Sequence, residues 1–111
     1  MSREIPEQDW KTFRQLQPML INRFCERALN DLMKTATGPA THHARFLKIY
    51  ELIDEQNEEL GRAFDNLRRS TALLQLATMH SLNLFTNEEF MQFSPETRAL
   101  MDSLLSFSQT R

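Results

Sequence analysis

The sequence predicts an all-α fold in a single domain spanning residues 1–111, and three observations carry that expectation. The apolar content favours helix over sheet: Leu occurs 16 times and Ile four times, while Val, a preferred β-branched strand residue, is absent. Every periodic segment repeats at steps of three and four residues, and none alternates at two. Helix start and stop chemistry sits where those segments begin and end. The architecture implied is a helical bundle built on one long heptad-patterned helix, with a kinked N-terminal helix and two short C-terminal helices. A chain of 111 residues has room for one core and hardly for a second.

The first helix is expected over about residues 7–36, where Trp10, Phe13, Leu16, Leu20, Phe24, Ala28 and Leu32 form one face. Glu7 and Asp9 suit the positive end of its dipole. Pro18 removes a backbone donor and crowds the preceding turn, which predicts a kink near 18, and the stripe keeps its phase across it. Gly38 and Pro39 end the element, and Thr41 is positioned as the N-cap of the next.

The second helix is expected over about residues 41–82. Phe46, Ile49, Ile53, Gln56, Leu60, Ala63, Leu67, Ser70, Leu74, Ala77 and Ser81 alternate steps of three and four throughout, a heptad seam. With Phe46 at position a, the outer positions from Lys48 to Arg69 hold no large apolar residue. Tyr50, Leu52, Phe64 and Leu73 flank the seam and widen the apolar stripe, which favours bundle packing over a bare two-stranded coil. A straight helix of this length is about 60 Å long, so it must project, be covered by a partner, or bend near Gly61. Leu73 to Leu82 is apolar in nearly every direction, and Asn83 is placed to end the helix in a left-handed cap, with Met79 and Leu84 in contact.

Two short helices follow, at about residues 87–92 and 95–107. Thr86 and Glu89 make a capping box, flanked by Phe85 and Phe90 as a hydrophobic staple. Ser94 and Pro95 supply an N-cap and a first-turn proline. Leu100, Met101, Leu104, Leu105 and Phe107 form the last apolar face.

The stretch Leu74-x-x-Ala77-x-Met79 followed by Leu82-Asn83-Leu84-Phe85-Thr86-Asn87-Glu88-Glu89-Phe90 resembles the SHOCT module, a short bacterial helical hairpin with leucines, a turn and a Thr-x-Glu-Glu-Phe helix start. The resemblance spans about 30 residues. Asn83 stands where that module usually has glycine, and the break at Phe93-Ser94-Pro95 is foreign to it. It implies an appendage for oligomerisation or docking, of bacterial origin, with no catalytic residue to carry over.

The residues supply little material for catalysis. Adjacent His42 and His43 diverge by about 100° on a helix and cannot chelate one metal together. No acid stands three residues before any histidine, which removes the di-iron bundle signature. The acids from Glu51 to Glu59 fall mainly on the outer face, and only Gly38 and Gly61 are available for phosphate-cradling loops. His80 and Cys25 read as packed side chains, and a lone cysteine forms no intramolecular disulfide. No catalytic residue, cofactor or metal site is therefore expected. Formal charge is -2, with Arg62, Arg68 and Arg69 the one basic cluster, assisted by Arg45 and Lys48. Acids at Glu88 and Glu89 would repel DNA from the helix beside them, so nucleic acid is the lesser expectation. The chain shows neither signal-peptide nor membrane-span patterning, which points to the cytoplasm.

The functional expectation is a non-enzymatic helical module for self-association or protein docking, a homodimer or a seat for a partner helix. The alternative is a small DNA-linked regulatory accessory protein. The expected interaction residues are Leu60, Leu67, Leu73, Leu74, Leu76 and Met79, with a partner chain covering Leu76. Acids at Glu51 to Glu59 and arginines at Arg62 to Arg69 on one helix favour antiparallel pairing.

Overall fold

The computed structural model describes residues 4–109, and the side chains of 4–104. Among them it is all-helical, with 76% helix, five helices and no strand. The side chains of Leu105 and Phe107 lie outside the described residues.

Helix α1 runs from Glu7 to Ala36 with Pro18 inside it. Helix α2, His42–Phe64, begins at Thr41, whose hydroxyl accepts the Ala44 N–H at 3.1 Å. The two pack against each other as an antiparallel hairpin joined at residues 37–41. Helix α3 spans Ala72–Ser81, α4 is the single turn Asn87–Phe90, and α5 spans Pro95–Gln109.

The single long helix expected over residues 41–82 is not formed. The helix runs on through Gly61 but ends at Asp65, whose ψ of 151° is extended, and Asn66 adopts a φ of 54°. Asparagine tolerates that left-handed region better than most residues because its short amide bonds locally. Residues 65–71 then fold back under side-chain control. Gln75 Nε2 donates to the Asp65 carbonyl at 2.9 Å, and Arg69 Nε donates to the Ile5 carbonyl at 3.1 Å. The break offsets the regular heptad because α3 gains burial on nearly all sides, an outcome no straight helix offers within one short chain.

Phe13, Leu16, Leu20 and Phe24 of α1 form the core with Ala63 and Phe64, with Leu73, Leu76 and Met79 of α3, and with Leu84, Phe93 and Met101. This core occupies one end of the hairpin, the base. The other end projects: the radius of gyration is 16.3 Å and the extents are 51 × 31 × 25 Å, against a radius of about 13 Å for a compact chain of this length.

Three long-range clusters fix the base. Asp9, 2% exposed, accepts the Ser94 N–H at 2.9 Å, the Ser94 hydroxyl at 2.7 Å and the Thr97 hydroxyl at 2.6 Å. It serves α5's N-terminus from the opposite end of the chain, beside the local Ser94 cap on the Thr97 N–H. At the end of α3, Asn83 has φ 55°, the Leu84 N–H reaches the Met79 carbonyl and the Asn83 N–H reaches the His80 carbonyl, the two bonds of a Schellman motif. Arg27 donates to the Leu82 and Asn83 carbonyls at 3.1 and 2.9 Å, and Arg23 to the Leu84 carbonyl at 2.8 Å, placing cations at the negative end of α3. Arg23 also grips Glu89 with two bonds of 2.7 and 3.1 Å. Glu89 in turn accepts the Thr86 N–H at 2.9 Å, completing the capping box. The guanidinium holds the Glu89 carboxyl below its ordinary value despite the opposing push of burial, and Thr86 adds to the lowering.

Candidate docking surface

The α1–α2 arm has an inner seam and an uncovered face. Ala28, Leu32, Ile49, Leu52 and Gln56 are half-buried between the two helices, while Leu29, Met33, Phe46, Tyr50 and Ile53 are between 51 and 73% exposed. These exposed residues follow residues of the half-buried row by one position: Leu29 after Ala28, Met33 after Leu32, Phe46 after Arg45, Tyr50 after Ile49, Ile53 after Leu52. One residue turns a helix by about 100° in the same sense along its own chain. Because α1 and α2 run antiparallel, that turn brings both sets out on the same side of the arm. The core-facing residues of α1, Leu16 and Leu20, lie on the opposite side of its seam, so the base does not cover this face.

The sequence explains why α2 has apolar residues to spare. Its stripe is widened by Tyr50 and Leu52 beyond what one neighbouring helix covers. Packing against α1 takes Ile49, Leu52 and Leu60, and leaves Phe46, Tyr50 and Ile53 outside on this face, with Leu47, also 53% exposed, turned away from α1 by its helix phase. The seam assigned to Phe46 and Ile53 is therefore displaced.

The expected interaction residues separate into three groups. Leu76 and Met79 are 0% exposed and Leu73 is buried, all within this chain's own core, so the expectation that a partner covers Leu76 is overturned. The chain's own C-terminal segment supplies the second layer, since α3 packs chiefly on α5. Leu60 and Leu67 are half-buried against the core. Leu74 alone is exposed, at 63%, beside a shallow depression shared with Arg62, Asp65, Asn66, Arg68 and Gln75. The charge argument for antiparallel pairing also loses its basis, because Arg68 and Arg69 no longer share a helix with Glu51 and Glu59.

Several side chains with potential chemistry have structural partners. His80 stacks on Phe90 with ring centroids 4.5 Å apart, and its Nε2 lies 2.8 Å from Asp102 Oδ1. Cys25 packs half-buried against the core. Arg45 donates to the Ala36 and Ala40 carbonyls, tying the arm's tip, and Lys48 pairs loosely with Glu51 at 3.8 Å. Among the described residues no group of three His, Cys, Asp or Glu is placed to hold a metal ion, and no helix is long and apolar enough to cross a membrane. In comparisons with known proteins, no family model, curated protein or solved structure matches the chain.

Proposed function

We propose that this chain is a non-enzymatic helical module that binds another protein through the apolar face of its α1–α2 arm. The observation that carries the proposal is the set of five large apolar side chains, Leu29, Met33, Phe46, Tyr50 and Ile53, exposed together on one side of a projecting hairpin. Scattered exposed leucines are ordinary, whereas a contiguous apolar patch of this size marks an interaction surface. Pro18 suits the arrangement, since it leaves the Arg14 carbonyl without an intrahelical donor at the place where base gives way to arm, a position that favours a bend. The short α3–α4 segment acts as a clamp that holds the base closed, which gives the SHOCT-like residues a structural role in presenting the arm. The lone thiol and the soluble composition suit a cytoplasmic setting.

Nucleic acid is the weaker reading. Arg69 and Arg45 of the basic cluster are engaged with backbone carbonyls, and the uncovered arm face holds no Lys or Arg.

The test asks whether this face is surplus to the monomer's fold. In solution dilute enough that the parent is monomeric, a double variant, Phe46→Ser with Tyr50→Ser, should keep its helicity and unfold cooperatively within about 1 kcal/mol of the parent, as surface substitutions do. It should bind markedly less of a dye that fluoresces on apolar surfaces. Leu76→Arg, with its charge forced into the core, serves as the unfolded control. A double variant that collapses like Leu76→Arg would overturn the proposal, since the face would then be core.

A further inference from the structure

We propose that the occupant of the arm's apolar face is a second copy of this chain, the two arms closing into a four-helix bundle about a two-fold axis. The inference rests on the docking reading above and deepens it by naming the partner.

The shape of the face argues for a two-helix partner rather than a single helix. Measured from the tip at 1.5 Å per residue, Met33 lies about 4.5 Å down α1 and Phe46 about 6 Å down α2. Leu29 and Tyr50 follow at about 10.5 and 12 Å. The apolar residues therefore form level rungs reaching across both helices. A lone helix lying between α1 and α2 would fill the groove and leave the outer parts of those rungs wet. A second two-helix layer covers the rungs across their width, which is the construction of a four-helix bundle. The required layer is the one this chain itself presents. With a two-fold in the plane of the face, every neighbouring helix pair in the bundle is antiparallel, so the helix dipoles oppose.

The area agrees. Five side chains exposed between 51 and 73%, each offering roughly 200 Å² when bare, present on the order of 600 Å² of apolar surface. That is at the upper end of the largest patch on a typical monomer, and with a polar rim it approaches the ~800 Å² per partner of a stable interface. Charge excludes two other occupants. The helix phases place Glu26 and Asp54 at the margins of the face and no Lys or Arg on it, so it offers nothing to an acidic peptide or an anionic lipid headgroup.

The experiment is sedimentation and light scattering of the full chain over a wide concentration range. The mass should rise from 13.1 kDa toward twice that value, and high salt should leave the dimer intact because no cross-subunit ion pair holds it together. Tyr50→Glu acts once on each side of the two-fold and should weaken dimerisation at least tenfold while the circular dichroism spectrum stays helical, with Phe46→Glu an independent second variant. A wild-type chain that stays at 13.1 kDa throughout overturns the proposal. So does a dimer whose affinity neither variant changes. The double-serine variant reads separately: if it stays folded and loses dye binding while the wild type is monomeric, the docking face stands and its occupant is a different protein.

Discussion

Replacing Asp9 with alanine removes a buried acceptor that serves three donors from α5, the Ser94 N–H and the Ser94 and Thr97 hydroxyls, at 2.9, 2.7 and 2.6 Å. Hydrogen bonds to a charged group contribute about 1.5–3 kcal/mol each, and non-additivity keeps the set below its nominal sum. Removing the carboxylate also relieves a dehydration cost of several kcal/mol, so the net loss for Asp9→Ala should be about 3 kcal/mol. That is a large share of the 5–15 kcal/mol typical of a single domain. Asp9→Asn should cost less, about 1–2 kcal/mol, because its Oδ1 still accepts the Ser94 N–H and its amide can donate to the hydroxyl oxygens of Ser94 and Thr97, while the charge-assisted bonds from those hydroxyls are lost. Thr97→Val, at a fully buried site, should cost about 1.5 kcal/mol alone and much less in the Asp9→Ala background, with a coupling of at least about 1 kcal/mol. Urea titrations of the four chains, followed by circular dichroism, measure the cycle. Strict additivity, or an Asp9→Asn variant as stable as the parent, would refute the role assigned to this carboxylate.

Glu89 has its carboxyl held below the ordinary 4.5 by Arg23. Its contribution is therefore fully present above about pH 4.5 and is lost as pH falls through the depressed folded value. Glu89→Gln should lower stability at neutral pH and flatten the acid limb of stability against pH; an unchanged limb would count against the pair. Gly61→Ala should stabilise α2 by up to about 1 kcal/mol, the helix-propensity difference. The new Cβ meets only the exposed Asp65 carboxylate at 3.0 Å, a side chain free to turn away. A lower melting temperature would show that Asp65 is held in place.

The local signals in the sequence were legible in proportion to how short their range is. Thr41, the Thr86–Glu89 box, Ser94 and the Asn83 cap all act where expected, because each joins residues within about one helical turn. The helix break at Asp65 has no such local signal. The heptad continues through Leu67 and Ser70 without a flaw, and spacing alone does not report which surface will cover a stripe. Asn66 is the nearest clue, being tolerant of the left-handed backbone that ends the run. The uncovered face was half visible, as a stripe on α2 too wide for one neighbour, while its continuation through Leu29 and Met33 needed the hairpin's geometry. From sequence Asp9 reads as a first-turn acid of α1, and nothing local marks Arg23 or Arg27. Their partners stand 55 to 88 residues away, a distance over which no periodicity carries information.

The separation between Asp9 and Thr97 also sets an order of events during folding. The arm needs only contacts between neighbouring helices across a short loop, so it can form within microseconds to milliseconds as soon as both are present. The base cannot. Its first helix waits for Leu84, Phe93 and Met101, and for the Ser94–Thr97 turn that seats on Asp9. On a ribosome adding about 5–20 residues each second, Phe13, Leu16 and Leu20 would stay open to water for several seconds after the arm has closed. The nascent chain then exposes two apolar surfaces at once, one destined for its own last helix and one that remains.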